Sequence, residues 1–245
     1  MALVLVLSIL IGVSLGLLGG GGSILTVPIL TYVGGMSAKA AIAASLFVVG
    51  TTSAAAAISH ARAGRVRWRT GVIFGAAGMA GAYAGGLLAA YIPGRILMIL
   101  FGLMMTATAV AMLRRPRALR PRIQDLPVAH GIAEGVMVGI VTGIVGAGGG
   151  FLVVPALVLL GGLSMETAIG TSLVVIAMKS FAGLAGHLGH VDIDWRVTLA
   201  VTAAAIAGSF AGTHLAGRIP PAALRRGFGV FIIAMAALVL VKELT

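Results

Sequence analysis

The sequence specifies an all-α polytopic membrane protein of about eight transmembrane helices, built as two homologous four-helix repeats whose helices 1 and 5 are broken by glycine. Three observations predict this. The 245 residues are 60% hydrophobic and 9% charged, where soluble domains carry about 25% charge. Apolar runs of bilayer-spanning length, about 20 residues each, follow one another with little between them. They are continuously apolar, which argues against the period-two alternation of a membrane β-barrel. Finally, the chain repeats itself. Residues 16–28 and 143–155 superpose without a gap at an offset of 127, and 34 of the 87 aligned positions between 16–102 and 143–229 are identical. His60 falls on His187, Trp68 on Trp195 and Pro93 on Pro220, matches that shared apolar composition does not generate. The halves are therefore 1–113 and 128–245, joined by a basic linker, 114–127, with five arginines.

Taken in order, residues 2–33 are too long for one straight crossing and are interrupted by Gly19, Gly20, Gly21 and Gly22. They read as a discontinuous helix. The second crossing covers 38–59, with Ser37 as its N-cap. A loop bearing Arg62, Arg65, Arg67 and Arg69 leads to crossing three, 68–91, and Pro93-Gly94 turns into crossing four, 95–113. The second half replays the scheme. Crossing five is the broken run 129–160, crossing six is 167–187 and crossing seven is 195–216. Pro220-Pro221 leads into crossing eight, 223–241.

With the linker in the cytoplasm, four crossings per half place eleven basic residues inside and five outside, with Lys179 within crossing six. That asymmetry obeys the positive-inside rule and puts both termini in the cytoplasm of an inner-membrane, multi-pass protein. An even number per half makes the repeats parallel (4+4). A true extra crossing at each glycine break would instead make them inverted (5+5).

The net charge of +11 lies in short loops, where it signals topology and not nucleic acid. No cysteine is present, so disulfides and thiolate chemistry are absent. No metal site or cofactor motif appears: the glycine runs lack a βαβ context and a following Gly-Lys-Ser/Thr. Six acids, mostly near helix ends or in loops, and no HExxH or GxSxG pattern argue against an enzyme. The partners are a small anion and the lipid bilayer, with a homo-oligomer left open.

The glycine runs carry the functional reading. Non-helical backbone is tolerated in a bilayer only where protein or a water-filled cavity satisfies it, and broken helices at matching positions of two halves point to a transport site. A half-helix starting after such a break offers unpaired N–H groups and about half a positive charge to an anion. This makes Gly20, Gly21, Gly22, Ser23, Gly148, Gly149 and Gly150 candidate substrate-binding residues, with close helix packing as the alternative role for glycine. Lys179 stands deep in an apolar run where the first half has Thr52. Placing a lysine there costs on the order of 3 kcal/mol, which an anion facing it would offset. Ser45, Thr171 and Ser172 can donate hydroxyl hydrogen bonds to an oxyanion, or bond a carbonyl of the preceding turn. His60, His187 and Glu134 are candidates for a proton relay or gate.

Gly19-Gly20-Gly21-Gly22 with Pro28, Gly146-Ala147-Gly148-Gly149-Gly150 with Pro155, and Gly170-Thr171-Ser172-Leu173 resemble the sulfite exporter TauE/SafE family over nearly the whole chain. The first half keeps only the serine and leucine of the last motif, in Ala43-Ala44-Ser45-Leu46. The resemblance implies an inner-membrane transporter of sulfite, sulfonates or related small sulfur anions. With no nucleotide-binding segment in the sequence, a secondary transporter driven by the proton gradient or membrane potential is expected. An anion channel and a membrane scaffold or assembly subunit are the alternatives.

Overall fold

In the computed structural model, residues 2–113, 128–145, 150–159, 161–216 and 218–244 are described; the linker 114–127 lies outside them. The regular elements among the described residues are all helices, with no strand among them. The first half contains α1 (Ala2–Leu18), α2 (Gly21–Pro28), extended by a π-helical turn Ile29–Val33, then α3 (Ala38–Arg62), α4 (Trp68–Ala89) and α5 (Gly94–Leu113). The second contains α6 (Val128–Val145), α7 (Gly150–Leu159), α8 (Met165–His187), α9 (Trp195–Ala216) and α10 (Pro221–Leu244). Among the described residues, α3, α4, α8 and most of α9 are long and apolar enough to cross a bilayer, and several shorter apolar helices accompany them.

The helix boundaries keep the 127-residue offset. Ala38 and Met165 start equivalent helices, as do Trp68 and Trp195, and Leu18 and Val145 end the first helix of each half. Local chemistry sets several of them. Ser37 caps α3 by accepting from the Ala40 amide at 3.3 Å, and Ser164 caps α8 through the Thr167 amide at 3.3 Å. Pro28 and Pro155 lack an N–H, so each withholds one hydrogen bond from the turn before it. Both segments end on the wider i→i−5 bond, from Gly34 N–H to the Ile29 carbonyl at 2.8 Å and from Gly161 N–H to the Ala156 carbonyl at 3.0 Å.

The central departure from expectation is at the glycine breaks. Residues 2–33 are not one interrupted crossing; α2 folds back along α1. Gly19 adopts a φ of +67°, a left-handed conformation that favours glycine, and the chain reverses there. A side chain at Gly22 would run into the Ile11 carbonyl and Leu15 of α1, while Ile29 and Leu30 join the cluster that holds Val4. α3 then runs parallel to α1, because Ala41 and Ala44 lie in the same cluster as Val4 and His60 reaches the Gly16 carbonyl.

This extra reversal decides how the halves are related. Glycines of α4 meet α6 in rising order: Gly81 faces the Val136 carbonyl and Gly85 the Ile140 carbonyl, so the two helices run parallel. Their equivalents, α9 and α1, are also parallel, with Gly12 on the Ala205 carbonyl and Gly16 on that of Ser209. In contrast, α3 and α8 cross antiparallel at the centre, with Gly50 against Ser180 and Phe181 and Gly183 against Leu46. Since α4 opposes α3, α6 opposes α1. The second half is therefore inverted, and the parallel 4+4 reading gives way to the inverted one. The termini change face with it. Tyr32, Arg95 and Glu243 are hydrogen-bonded together at one end of the bundle, so both chain ends lie opposite the Arg62–Arg69 loop and the end of α5, not beside them.

The halves also interlock. Bare glycine backbone in α4 and α6, and again in α1 and α9, lets these pairs approach until a Cβ at Gly81, Gly139, Gly208 or Gly212 would strike a facing carbonyl. That is the small-residue contact membrane bundles use.

Candidate functional site

The fold-back brings the two breaks together. A Cβ added to Gly150 would lie 2.7 Å from the Gly20 Cα and 2.8 Å from Ile176 Cδ1. The starts of α2 and α7 thus meet beside α8, near where α3 and α8 cross. Their chains leave this point toward opposite faces, so both half-helices direct their N-terminal ends at the same place. Gly20 caps α2 with no side-chain hydrogen bond, which leaves that end to the backbone. Gly148 and Gly149 lie outside the described residues.

The hydroxyls beside the breaks hold backbone. Ser23 donates to the Gly20 carbonyl at 2.7 Å and Thr26 to that of Gly22 at 2.8 Å, tightening the first turn of α2. Ser172 lies 2.9 Å from the Gly19 carbonyl and 2.8 Å from that of Ile169; its single proton is shared between them, pinning the reversal at Gly19 to α8. Ser45 has the equivalent bond to the Ile42 carbonyl at 2.8 Å. Thr171 points elsewhere: its hydroxyl accepts from the Arg67 amide at 3.0 Å, and next to it Gly170 leaves room for the Arg65 carbonyl. The pair anchors the arginine-bearing loop to α8.

Lys179 is buried, 1% exposed. Its stem lies against Gly78 of α4, and its amine donates to Thr142 Oγ1 at 3.2 Å. Thr142 in turn donates to the Gly139 carbonyl at 3.1 Å. The Lys179 ammonium therefore ends on α6 one turn before the second break. Thr142 and Gly78 are the site residues the sequence reading missed. Thr142, a polar residue in an apolar run where the first half has Leu15, was the available signal for one; nothing distinguished Gly78 from its neighbouring glycines. Glu134 is half-buried in α6, eight residues before Thr142.

His60 and His187 are both buried, but inversion puts them near opposite faces. A His60 ring nitrogen, Nε2, stands 3.4 Å from the Gly16 carbonyl of α1. His187 uses Nδ1 on the Gly183 carbonyl of its own helix at 3.0 Å. It lines a small cleft with Lys39, Ile42, Ala90 and His190. The tryptophans are likewise split, Trp68 on one face and Trp195 on the other, both partly exposed as interface anchors are. Among the described residues, no cluster of three or more His, Cys, Asp or Glu suited to a metal ion occurs.

The chain matches the family model described as sulfite exporter TauE/SafE over residues 4–239. A probable membrane transporter protein of Xylella fastidiosa (strain Temecula1) is 36% identical over 94% of this chain and 91% of its own length. Probable membrane transporter protein YdhB of Bacillus subtilis is 25% identical, covering 91% of this chain and 93% of the relative. Probable membrane transporter protein MJ0441 of Methanocaldococcus jannaschii is 27% identical, covering 91% and 90%. No solved structure matches the chain.

Proposed function

Because the chain belongs to the TauE/SafE sulfite exporter family of membrane transporters, we propose that it carries a small sulfur-containing oxyanion by alternating access through a site framed by its two glycine breaks. The observation that carries this reading is the meeting of Gly20 and Gly150. Two half-helices directing N-termini at one point offer backbone N–H donors and about half a positive charge each. The site lies where inverted-repeat transporters bind substrate, at the interface of the halves. Lys179, whose amine ends one turn from the second break, places a basic group nearby and favours an anion over a neutral solute. No nucleotide-binding segment occurs in the chain, so the proton gradient or membrane potential supplies the driving force.

We place the face bearing the 62–68 loop and the linker in the cytoplasm. Helix directions assign twelve basic residues to it: Arg62, Arg65, Arg67, Arg69, the five linker arginines, Arg218, Arg225 and Arg226. Lys39, Arg95, Arg196 and Lys242 fall on the other. Twelve against four is a stronger positive-inside asymmetry than eleven against five, and it puts both termini outside the cytoplasm of an inner-membrane protein.

Flux into proteoliposomes, comparing sulfite, sulfate, a sulfonate and chloride with and without a pH gradient, tests the function. Selective, saturable uptake of a sulfur oxyanion supports the transporter. Fast passage of every small anion would mean a channel, and no flux from well-folded protein would point to a scaffold.

A further inference from the structure

The two histidines occupy equivalent positions, yet their hydrogen bonds differ. A carbonyl can only accept, so His60 carries its proton on Nε2, toward Gly16, and His187 carries its proton on Nδ1, toward Gly183. Gly16 lies in the last turn of α1, three residues before Gly19. His60 is thus docked across an interface onto the helix that leads into the first break. The residue equivalent to Gly16 is Gly143 of α6. His187 is instead turned onto its own helix, and the ring lines the cleft on the terminal face; in each histidine the other ring nitrogen is buried without a partner among the described residues.

The surroundings explain which histidine is docked. The ring of His187 occupies space left by Gly86 of α4, where a Cβ would sit 2.9 Å from Nδ1. The equivalent residue in α9 is Thr213, whose hydroxyl borders Gly16, 3.0 Å from where its Cβ would stand. Thr213 crowds for His60 the position that His187 takes, and so favours the docked arrangement of His60.

We propose that His60 and His187 are reciprocal gates: each closes its own face by docking on the carbonyl of the broken helix beside it, and only one is docked at a time. This rests on the alternating-access reading above. In the structure His60 is docked on the broken helix beside it and His187 is not. Passage of substrate exchanges the two, with His187 moving from Gly183 to Gly143 as His60 leaves Gly16. Inverted repeats supply the reason, because a two-fold-related pair of arrangements makes each half adopt in turn what the other has left.

The chain has no cysteine, so single-cysteine labelling has no background. Ile42→Cys reports on the cleft, and Ile169→Cys, at the equivalent position against Gly19, reports on the other face. In purified protein the first reacts faster with a polar maleimide. Introducing His60→Ala raises the Ile169→Cys rate and lowers the Ile42→Cys rate, each by about tenfold if the gates differ by roughly 1.4 kcal/mol between states. Thr213→Ala shifts both rates in the same directions with both histidines in place. Should Ile42→Cys spoil folding, Val191→Cys, which lines the same cleft, replaces it. A change confined to the mutated face would overturn the proposal. Labelling needs no flux. Reciprocal rates in a protein that moves no anion would keep the gates and sink the transport reading; flux without reciprocity would do the opposite.

Discussion

Lys179 concentrates the residue-scale argument. An unpaired ammonium in an apolar interior is costly, yet here it has one neutral partner, Thr142, among the described residues, so the remaining compensation is assigned to the passing anion. Replacing it tests this directly. Lys179→Met keeps the stem packed against Gly78 and removes the charge. It should leave helical content and monodispersity unchanged, or raise the melting temperature, while lowering sulfite uptake by at least about tenfold, the worth of about 1.4 kcal/mol. A transport-competent Lys179→Met protein would make the lysine structural. Ser172 makes the opposite prediction. Its hydroxyl serves the Gly19 carbonyl, so Ser172→Ala should cost stability, about 1 kcal/mol, seen as a lower thermal midpoint in detergent.

At the element scale, the packing of α4 on α6 and α1 on α9 depends on absent side chains. Gly139→Leu places a branched side chain where the Gly78 carbonyl lies and should cost several kcal/mol through overpacking. Ala82→Gly beside it should be mild; equal expression and melting of the two variants would contradict the packing account. Much at this scale was legible. Trp68 and Trp195, Ser37 and Ser164, and Pro93 and Pro220 mark helix ends by local chemistry that the sequence states twice. The fold-back was not legible, because hydropathy has no direction: an apolar run with a glycine break reads the same whether the chain continues or returns. What decides it is tertiary, the bare Gly22 against Ile11 and the Ser172 bond to Gly19. The same limit governed the site. The two breaks were visible as paired glycine runs, whereas the partner of each hydroxyl depends on which helix arrives next to it. Ser172 and Thr171, adjacent in sequence, therefore serve a break and a loop respectively.

For the whole molecule, one reversal per half turns parallel repeats into inverted ones, and topology follows. A cysteine introduced at Ala2 or Thr245 should react with an impermeant reagent added outside intact cells, whereas one at Gly64, in the Arg62–Arg69 loop, should require permeabilisation. The reverse pattern would invert the orientation and weaken the positive-inside argument. Inversion also makes the function economical to explain: two half-helix N-termini converge because the halves are related by a two-fold axis, and a site on that axis can open to either face. The central claim is that the converging breaks bind a sulfur oxyanion. The most direct measurement is equilibrium binding of radiolabelled sulfite to the purified protein, beside a Gly150→Val variant shown to be monodisperse and helical. The account predicts saturable binding to the parent, displaced by a sulfonate and not by chloride, and lost in the variant, whose side chain would fill the contact with Gly20. Undiminished binding in the variant, or none in the parent, would contradict it.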